Sequence, residues 1–516
     1  MLTRLRVDGF KNLIGVDLPL GPFTCIAGAN AVGKSNLFDA ILFLRALMDR
    51  PIMDAAMAVR DERSAATDIR HLFTQTTRGS LRPIRIEVEM LVPSRGQDYL
   101  DQPAEAKTTF LVYKVELCYR SGDDGEARPR IELVEEALEY IKRGDARSHL
   151  PFPHARAWRD SVVTGRRTSP FISTEDRSED DPSEGDPKQS PLVSTRVVKL
   201  HQDSEASGGR TRLFHAEKLP RTVLSTVNAQ ESPTAVIARQ EMLNWRLLQL
   251  EPTALRMPDG FDAPSQLDAS GAHLPATLYR LAKQSLAEDE VRRAGSSSPA
   301  SARTGSIDDA AVLTEVANRL CELIDHVGRV RIDRDEKREL LTLRLTDKYG
   351  TELPAKALSD GTLRFLALAG LEIDPTLTGL ICMEEPENGI HPERIGAMLT
   401  LLQDIAVDTS DTVGDDNPLR QVVINTHSPV VVGQVPDDAV VFAIPQEQAV
   451  QGTVIKGVSF RCLADTWRAK EARMPEVAKG KALAFLSPIA EPRDTRRKAG
   501  ERRVVDREDM QLSLDL

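Results

Sequence analysis

The 516-residue sequence predicts an α/β fold with a mixed sheet and an antiparallel β lobe, interrupted by an inserted lobe. Three observations predict it. A buried apolar strand, Pro22–Ala27, runs into Gly28-Ala-Asn-Ala-Val-Gly33-Lys34-Ser35, and then into a helix with Leu37, Ile41, Leu44 and Met48 at helical spacing. A second apolar strand, 378–384, ends in the acids Glu384 and Glu385. A third, 422–426, ends at His427.

In chain order, Leu2, Leu5 and Val7 mark a first strand, followed by a Gly9-Phe10 turn and a strand over 13–18. The helix after the glycine loop runs from Lys34 to about Met48. Residues 84–92, 110–119 and 131–140 read as an antiparallel meander, rich in β-branched residues. Thr174–Ser190 is dense in Ser, Asp, Glu and Pro and reads as a mobile loop. Arg196–Leu200 and Thr211–His215 flank Ser207-Gly-Gly209 and read as a hairpin. The pattern over 235–281 is helical but interrupted, and 292–306 is a Ser/Ala/Gly linker. A helix over 308–326, strands over 330–332 and 340–346 and a helix over 363–371 complete the pattern.

Composition narrows the function. Hydrophobic residues make up 41% and charged residues 28%, enough for a sizeable core. Only 4% is aromatic, so the core is aliphatic and little remains for carbohydrate or base-stacking platforms. The net charge of -11 argues against a wholly basic coat and leaves room for a local basic groove. The five cysteines, Cys25, Cys118, Cys321, Cys382 and Cys462, form no CxxC pair, so neither a zinc site nor a disulfide framework is expected. The first residues carry no apolar signal region, and stretches such as Val440–Ile444 are too short to span a bilayer. The expectation is a cytoplasmic protein without membrane contact.

The segment Gly28–Ser35 matches GxxxxGK[ST], the phosphate loop of a P-loop NTPase, in the required strand-to-helix context. Backbone amides, including those around Gly28, Asn30 and Gly33, approach phosphate, aided by the helix dipole. Lys34 is expected at the β/γ-phosphates of ATP and Ser35 on Mg2+, with Asn36 beside them. Glu384 takes the metal-side position and Glu385 the position that orients or deprotonates the attacking water. His427 is placed to hydrogen-bond a γ-phosphate or that water. Upstream, Ala357-Leu-Ser359-Asp-Gly361-Thr opens a helix and offers a second anion site.

The order of phosphate loop, Leu-Ser359-Asp-Gly361, Glu384-Glu385-Pro-Glu-Asn-Gly-Ile-His-Pro and Asn-Thr-His427-Ser-Pro resembles an ABC-type ATPase head. More narrowly, it resembles the RecF/OLD/SMC-like AAA family ATPases of prokaryotes. The opening Gly-Phe-Lys11-Asn12-Leu is similar to that family's N-terminal turn, whose basic residue lies near the nucleotide. The resemblance implies a homodimer on ATP binding, with Ser359 and Gly361 of one protomer meeting the nucleotide held by Lys34 of the other. The signature reads LSDGT rather than LSGGQ, and a Q-loop glutamine, Gln75 or Gln249, is not fixed. The expected organisation is an N-terminal half of the head over 1–145 and an inserted lobe with mobile linkers over 146–305. The C-terminal half follows over 306–460, with a charged tail over 461–516.

The output expected of such a head is a nucleotide-gated dimeric clamp or sensor on DNA, in repair or antiviral defence. A separately encoded nuclease or effector would be its partner. No strand pattern for a metal nuclease follows His427, no heptads support a long coiled-coil arm, and transport lacks membrane spans. The contrasting reading is a regulatory ATPase that switches a protein partner without DNA. Two tail segments bear on the choice. Arg493–Arg503 is basic, and Gln511-Leu-Ser-Leu-Asp-Leu516 resembles the hexapeptide by which bacterial replication proteins dock on the sliding clamp.

Overall fold

The computed structural model describes residues 1–59, 68–76, 79–121, 129–177, 195–203, 211–295, 307, 310–324, 327–450 and 453–480. The basic segment 493–503, the hexapeptide 511–516 and most of the acidic loop and Ser/Ala/Gly linker lie outside the described residues.

Two sheets organise the chain. The central one has six strands in the order 246–248, 379–384, 420–426, 23–27, 440–450, 453–462. Its first five strands run parallel and the last is antiparallel. Every residue of Arg420–Thr426 is buried, as a strand covered on both faces requires. Alternation along the strands sorts side chains into two cores. Ile26, Leu380, Cys382 and Val423 share one with the Lys34–Leu47 helix and the antiparallel sheet. Cys25, Ile381, Met383 and Ile424 share the other with the helices Asp360–Ile373 and Ile395–Ile405.

The second sheet has eight strands, all antiparallel, in the order 211–215, 195–201, 172–177, 130–140, 110–120, 84–91, 2–8, 16–19. It contains the expected meander and hairpin. Its inner face packs against the helix of the glycine loop, where Phe10 stacks on Phe43 at 5.8 Å. A smaller antiparallel sheet, built around 327–335 and 340–347, packs with the helices Leu274–Gly295 and Ala311–Leu323.

Both sheets cross the boundaries expected from composition. The span 146–305 does not form one separate lobe: 172–177, 195–201 and 211–215 extend the eight-stranded sheet, and 246–248 joins the central one. Residues 174–177 belong to the Ile172–Arg177 strand rather than to a loop. Their acidic side chains point outward and pair across the ladder, Asp176 with Arg196 at 3.0 Å and Glu175 with Lys199 at 2.5 Å. The start of the expected tail is also packed. Arg468 is fully buried, stacks on Trp467, and donates to Thr24 Oγ1 at 2.9 Å and to the carbonyls of Pro19 and Asp438.

The helix Asp360–Ile373 is fixed at both ends. Ser359 caps it by accepting from the Thr362 amide at 3.1 Å. At the other end, the buried Arg420 guanidinium donates to the carbonyls of Leu371 and Glu372 in the last turn, and to that of Asp374 just beyond it.

Candidate nucleotide site

The site lies at the carboxyl ends of the central parallel strands. There the glycine loop, the Glu384–Glu385 strand end, the segment 248–251 and the helix 360–373 line a cleft of about 700 Å³. Asn30, Gly33, Lys34, Ser35, Asn36, Glu384 and Glu385 all line it.

Two glycines let the loop close. The Gly28 amide donates to the Thr426 carbonyl, and a Cβ there would sit 2.7 Å from the Ala443 carbonyl oxygen. Gly33 has φ 113, and a Cβ there would collide with Asn12. Lys34 is nearly buried, and its ammonium donates to the loop's own carbonyls, Gly28 at 2.7 Å and Ala29 at 2.8 Å. Burial holds its pKa below the ordinary lysine value, against the opposing pull of Glu385, Glu384 and Glu387.

Lys11 and Asn12 stand behind the loop rather than in the cleft. Lys11 pairs with the fully buried Asp39 at 2.8 Å. Asn12 donates to the Val32 carbonyl and accepts from Asn36, both at 2.8 Å. They brace the loop against the first helix.

Across the cleft, Glu385 adopts φ 46, and its amide donates to the Asn425 carbonyl at 3.0 Å. One carboxylate oxygen lies 2.7 Å from His427 Nδ1, and the other accepts from Asn388 Nδ2 at 2.9 Å. Asn425 Nδ2 reaches Glu384 at 3.4 Å, so one asparagine touches both acidic positions. Below them, Glu387 accepts from the Thr426 hydroxyl, and burial raises its pKa. Its Oε2 is buried without a hydrogen bond.

Ser359 and Gly361 lie outside the cleft lining. Ser359 Oγ is engaged with Thr362, and Arg256 clasps the turn through Asp360 at 2.5 Å and the Leu358 carbonyl at 3.0 Å. The sequence reading left out Asn425, Arg364 and the contact role of Asn388. It left Gln249 undecided. Gln249 lines the cleft at the end of the strand beside Glu384's strand, and Gln75 does not.

The residues present suit a phosphate-bound Mg2+. Such an ion takes one or two protein oxygens and the rest from phosphate and water. Ser35 and Glu384 line the cleft and could offer such oxygens. Among the described residues, no cluster of three or more His, Cys, Asp or Glu forms a closed metal cage. No described helix is long and apolar enough to cross a membrane.

A family profile described as "AAA domain, putative AbiEii toxin, Type IV TA system" matches residues 23–203 and 202–433. The chain belongs to this AAA-domain ATPase family, as the motif order implied. Among particular proteins, it is 24% identical over 180 residues to "DNA replication and repair protein RecF" of Paenarthrobacter aurescens (strain TC1), covering 33% of this chain and 43% of that one. It is 51% identical over 41 residues to "OLD nuclease" of Thermus scotoductus (strain ATCC 700910 / SA-01), 8% of each. The chain thus spans less than half the length of either relative. A solved structure titled "Crystal structure of the SmcHead bound to the C-winged helix domain of ScpA" overlays 90% of this chain and 98% of its own, with TM-score 0.41 and 13% identity.

Proposed function

We propose that this chain binds ATP with Mg2+, hydrolyses it to ADP and phosphate, and works as a nucleotide-gated dimeric clamp or sensor on DNA, in repair or antiviral defence. One observation carries the ATP reading. Lys34 and the pair Glu384–Glu385 line a single cleft, and His427 is hydrogen-bonded to Glu385.

Each residue then has a task. Lys34 exchanges the carbonyls of Gly28 and Ala29 for phosphate oxygens, which the loop amides and the helix N-terminus also attract. Ser35 and Glu384 would hold Mg2+, which when bound would neutralise charge on the phosphates. Glu385 accepts the proton of the attacking water. His427 and Asn388 hold its carboxylate in place meanwhile. Gln249 is a further polar group of the cleft lining. Ser359 and Gly361 serve the nucleotide of a second protomer.

The printed name of the RecF relative supports a link to DNA replication and repair. A separately encoded nuclease or effector supplies any cleavage, since this chain is proposed to contain none. The hexapeptide 511–516 is proposed to dock on the sliding clamp, and the basic segment 493–503 to touch DNA. The net charge of -11 favours the competing reading, a switch for a protein partner. DNA binding by fluorescence anisotropy, with and without ATP, separates the two. ATP-dependent, salt-sensitive affinity supports the clamp, and its absence supports the switch.

A further inference from the structure

One cation in the cleft has no task in the scheme above. Arg364 sits on the helix Asp360–Ile373, beyond the capped turn that carries Ser359 and Gly361. It lines the cleft in its own protomer, together with Leu368. Its Nε is buried and has no hydrogen-bond partner. It forms no ion pair with a described carboxylate, although Glu251, Glu384 and Glu385 line the same space. Burial lowers its pKa, and Asp360 and Glu251 offset that only in part.

A buried guanidinium nitrogen without an acceptor is costly. Such a group persists where a ligand supplies the acceptor. The cleft is where an anionic ligand belongs, and guanidinium matches phosphate oxygens in a planar fork. Position along the cleft selects which phosphate. The loop amides and Lys34 would hold the phosphates from the loop side, with Lys34 reaching the β/γ-phosphates. Arg364 lines the cleft with its Nη1 close to Gly389, in the turn that follows Glu385 and Asn388, beside the acid proposed to activate water. Its Nη1 lies 3.7 Å from where a Cβ on Gly389 would stand. The guanidinium therefore lies against the Gly389 turn, whose φ of 77 suits glycine.

We propose that Arg364 contacts the terminal phosphate of the bound nucleoside triphosphate, supplied in cis by the helix whose N-terminus faces the second protomer. This rests on the ATP reading of the same cleft. A contact there distinguishes ATP from ADP. It also ties the signature turn, about 7.5 Å away along the helix axis, to the presence of the terminal phosphate.

The test uses the full chain and two variants, Arg364→Met and Arg364→Lys. Affinity is measured for β,γ-imido-ATP and for ADP, both with Mg2+, by calorimetry. The expected result for Arg364→Met is an affinity about tenfold weaker for the triphosphate and unchanged for ADP. Arg364→Lys is expected to recover part of the loss, because it restores charge without the fork. A structural role alone would lower the melting temperature of the free protein and move both nucleotides together. Equal losses for the two nucleotides, or no loss, overturn the assignment of Arg364. If the unaltered chain binds neither nucleotide, the ATP reading itself falls, and this inference with it.

Discussion

His427 Nδ1 lies 2.7 Å from Glu385 Oε1, joining the ends of two neighbouring parallel strands beside the cleft. The bond orients a carboxylate whose backbone already sits at positive φ, a conformation costly for glutamate and held by Asn425 from the next strand. Several residues therefore converge on where one carboxylate points.

Replacing Glu385 by Gln keeps the shape and removes the base. ATP binding is expected to persist, while turnover falls by about a hundredfold or more. Single-turnover hydrolysis measures it, and light scattering reports whether ATP now traps a dimer. A variant that turns over at the normal rate shows that Glu385 is only a strand-end acid.

Lys34→Ala removes the cation that the loop holds in reserve. Loss of a charged hydrogen bond to phosphate is expected to cost about 3 kcal/mol, roughly a hundredfold in affinity. Equilibrium titration with a fluorescent ATP analogue checks it. Affinity equal to that of the unaltered chain removes the loop from the site.

Glu136 gives a pH prediction away from the cleft. It is fully buried and accepts from the amides of Val223 and Leu224 and from the Tyr113 hydroxyl. Desolvation still raises its pKa to about 7. The folded state then binds this proton more tightly than the unfolded chain, whose glutamate titrates near ~4.3. Its contribution to stability is full below that lower pKa and is lost as pH rises towards neutrality. Urea midpoints across this window are expected to fall less steeply with pH in Glu136→Gln than in the unaltered chain. Parallel slopes would contradict the shift.

Arg468→Ala tests whether residues beyond 460 belong to the head. The change strips donors from the carbonyls of Pro19 and Asp438 and from Thr24, and opens a cavity beside Trp467. A loss of about 3 kcal/mol is expected from urea denaturation. A negligible change would return this segment to the status of a loose tail.

The sequence made the chemistry legible where residues that act together are adjacent. Gly28–Ser35, Glu384–Glu385 and His427 each follow a strand long enough to show as an apolar run. Gln249 stayed undecided because its strand, Arg246–Leu248, is three residues long and has no period to detect. The Ile172–Arg177 strand was hidden by its outward Glu175 and Asp176, whose partners Lys199 and Arg196 lie across the ladder and not along the chain. Lys11 was expected beside the nucleotide, and only the fold reveals the buried Asp39 that claims it. Arg364 gave no signal, since an arginine in an amphipathic helix reads as a solvated one.

The strand order of the central sheet also bears on how the protein is made. Phe23–Ala27 lies between 420–426 and 440–450, so both its neighbours are translated last among the sheet's parallel strands. On the ribosome, that strand emerges early and waits with two unpaired edges and apolar side chains exposed. The glycine loop it carries cannot take its final shape meanwhile, because the Gly28 amide needs the Thr426 carbonyl. That contact forms only after residue 426 has been made. Pairing across about 400 residues is long-range in sequence, the kind of contact that in general forms late in folding.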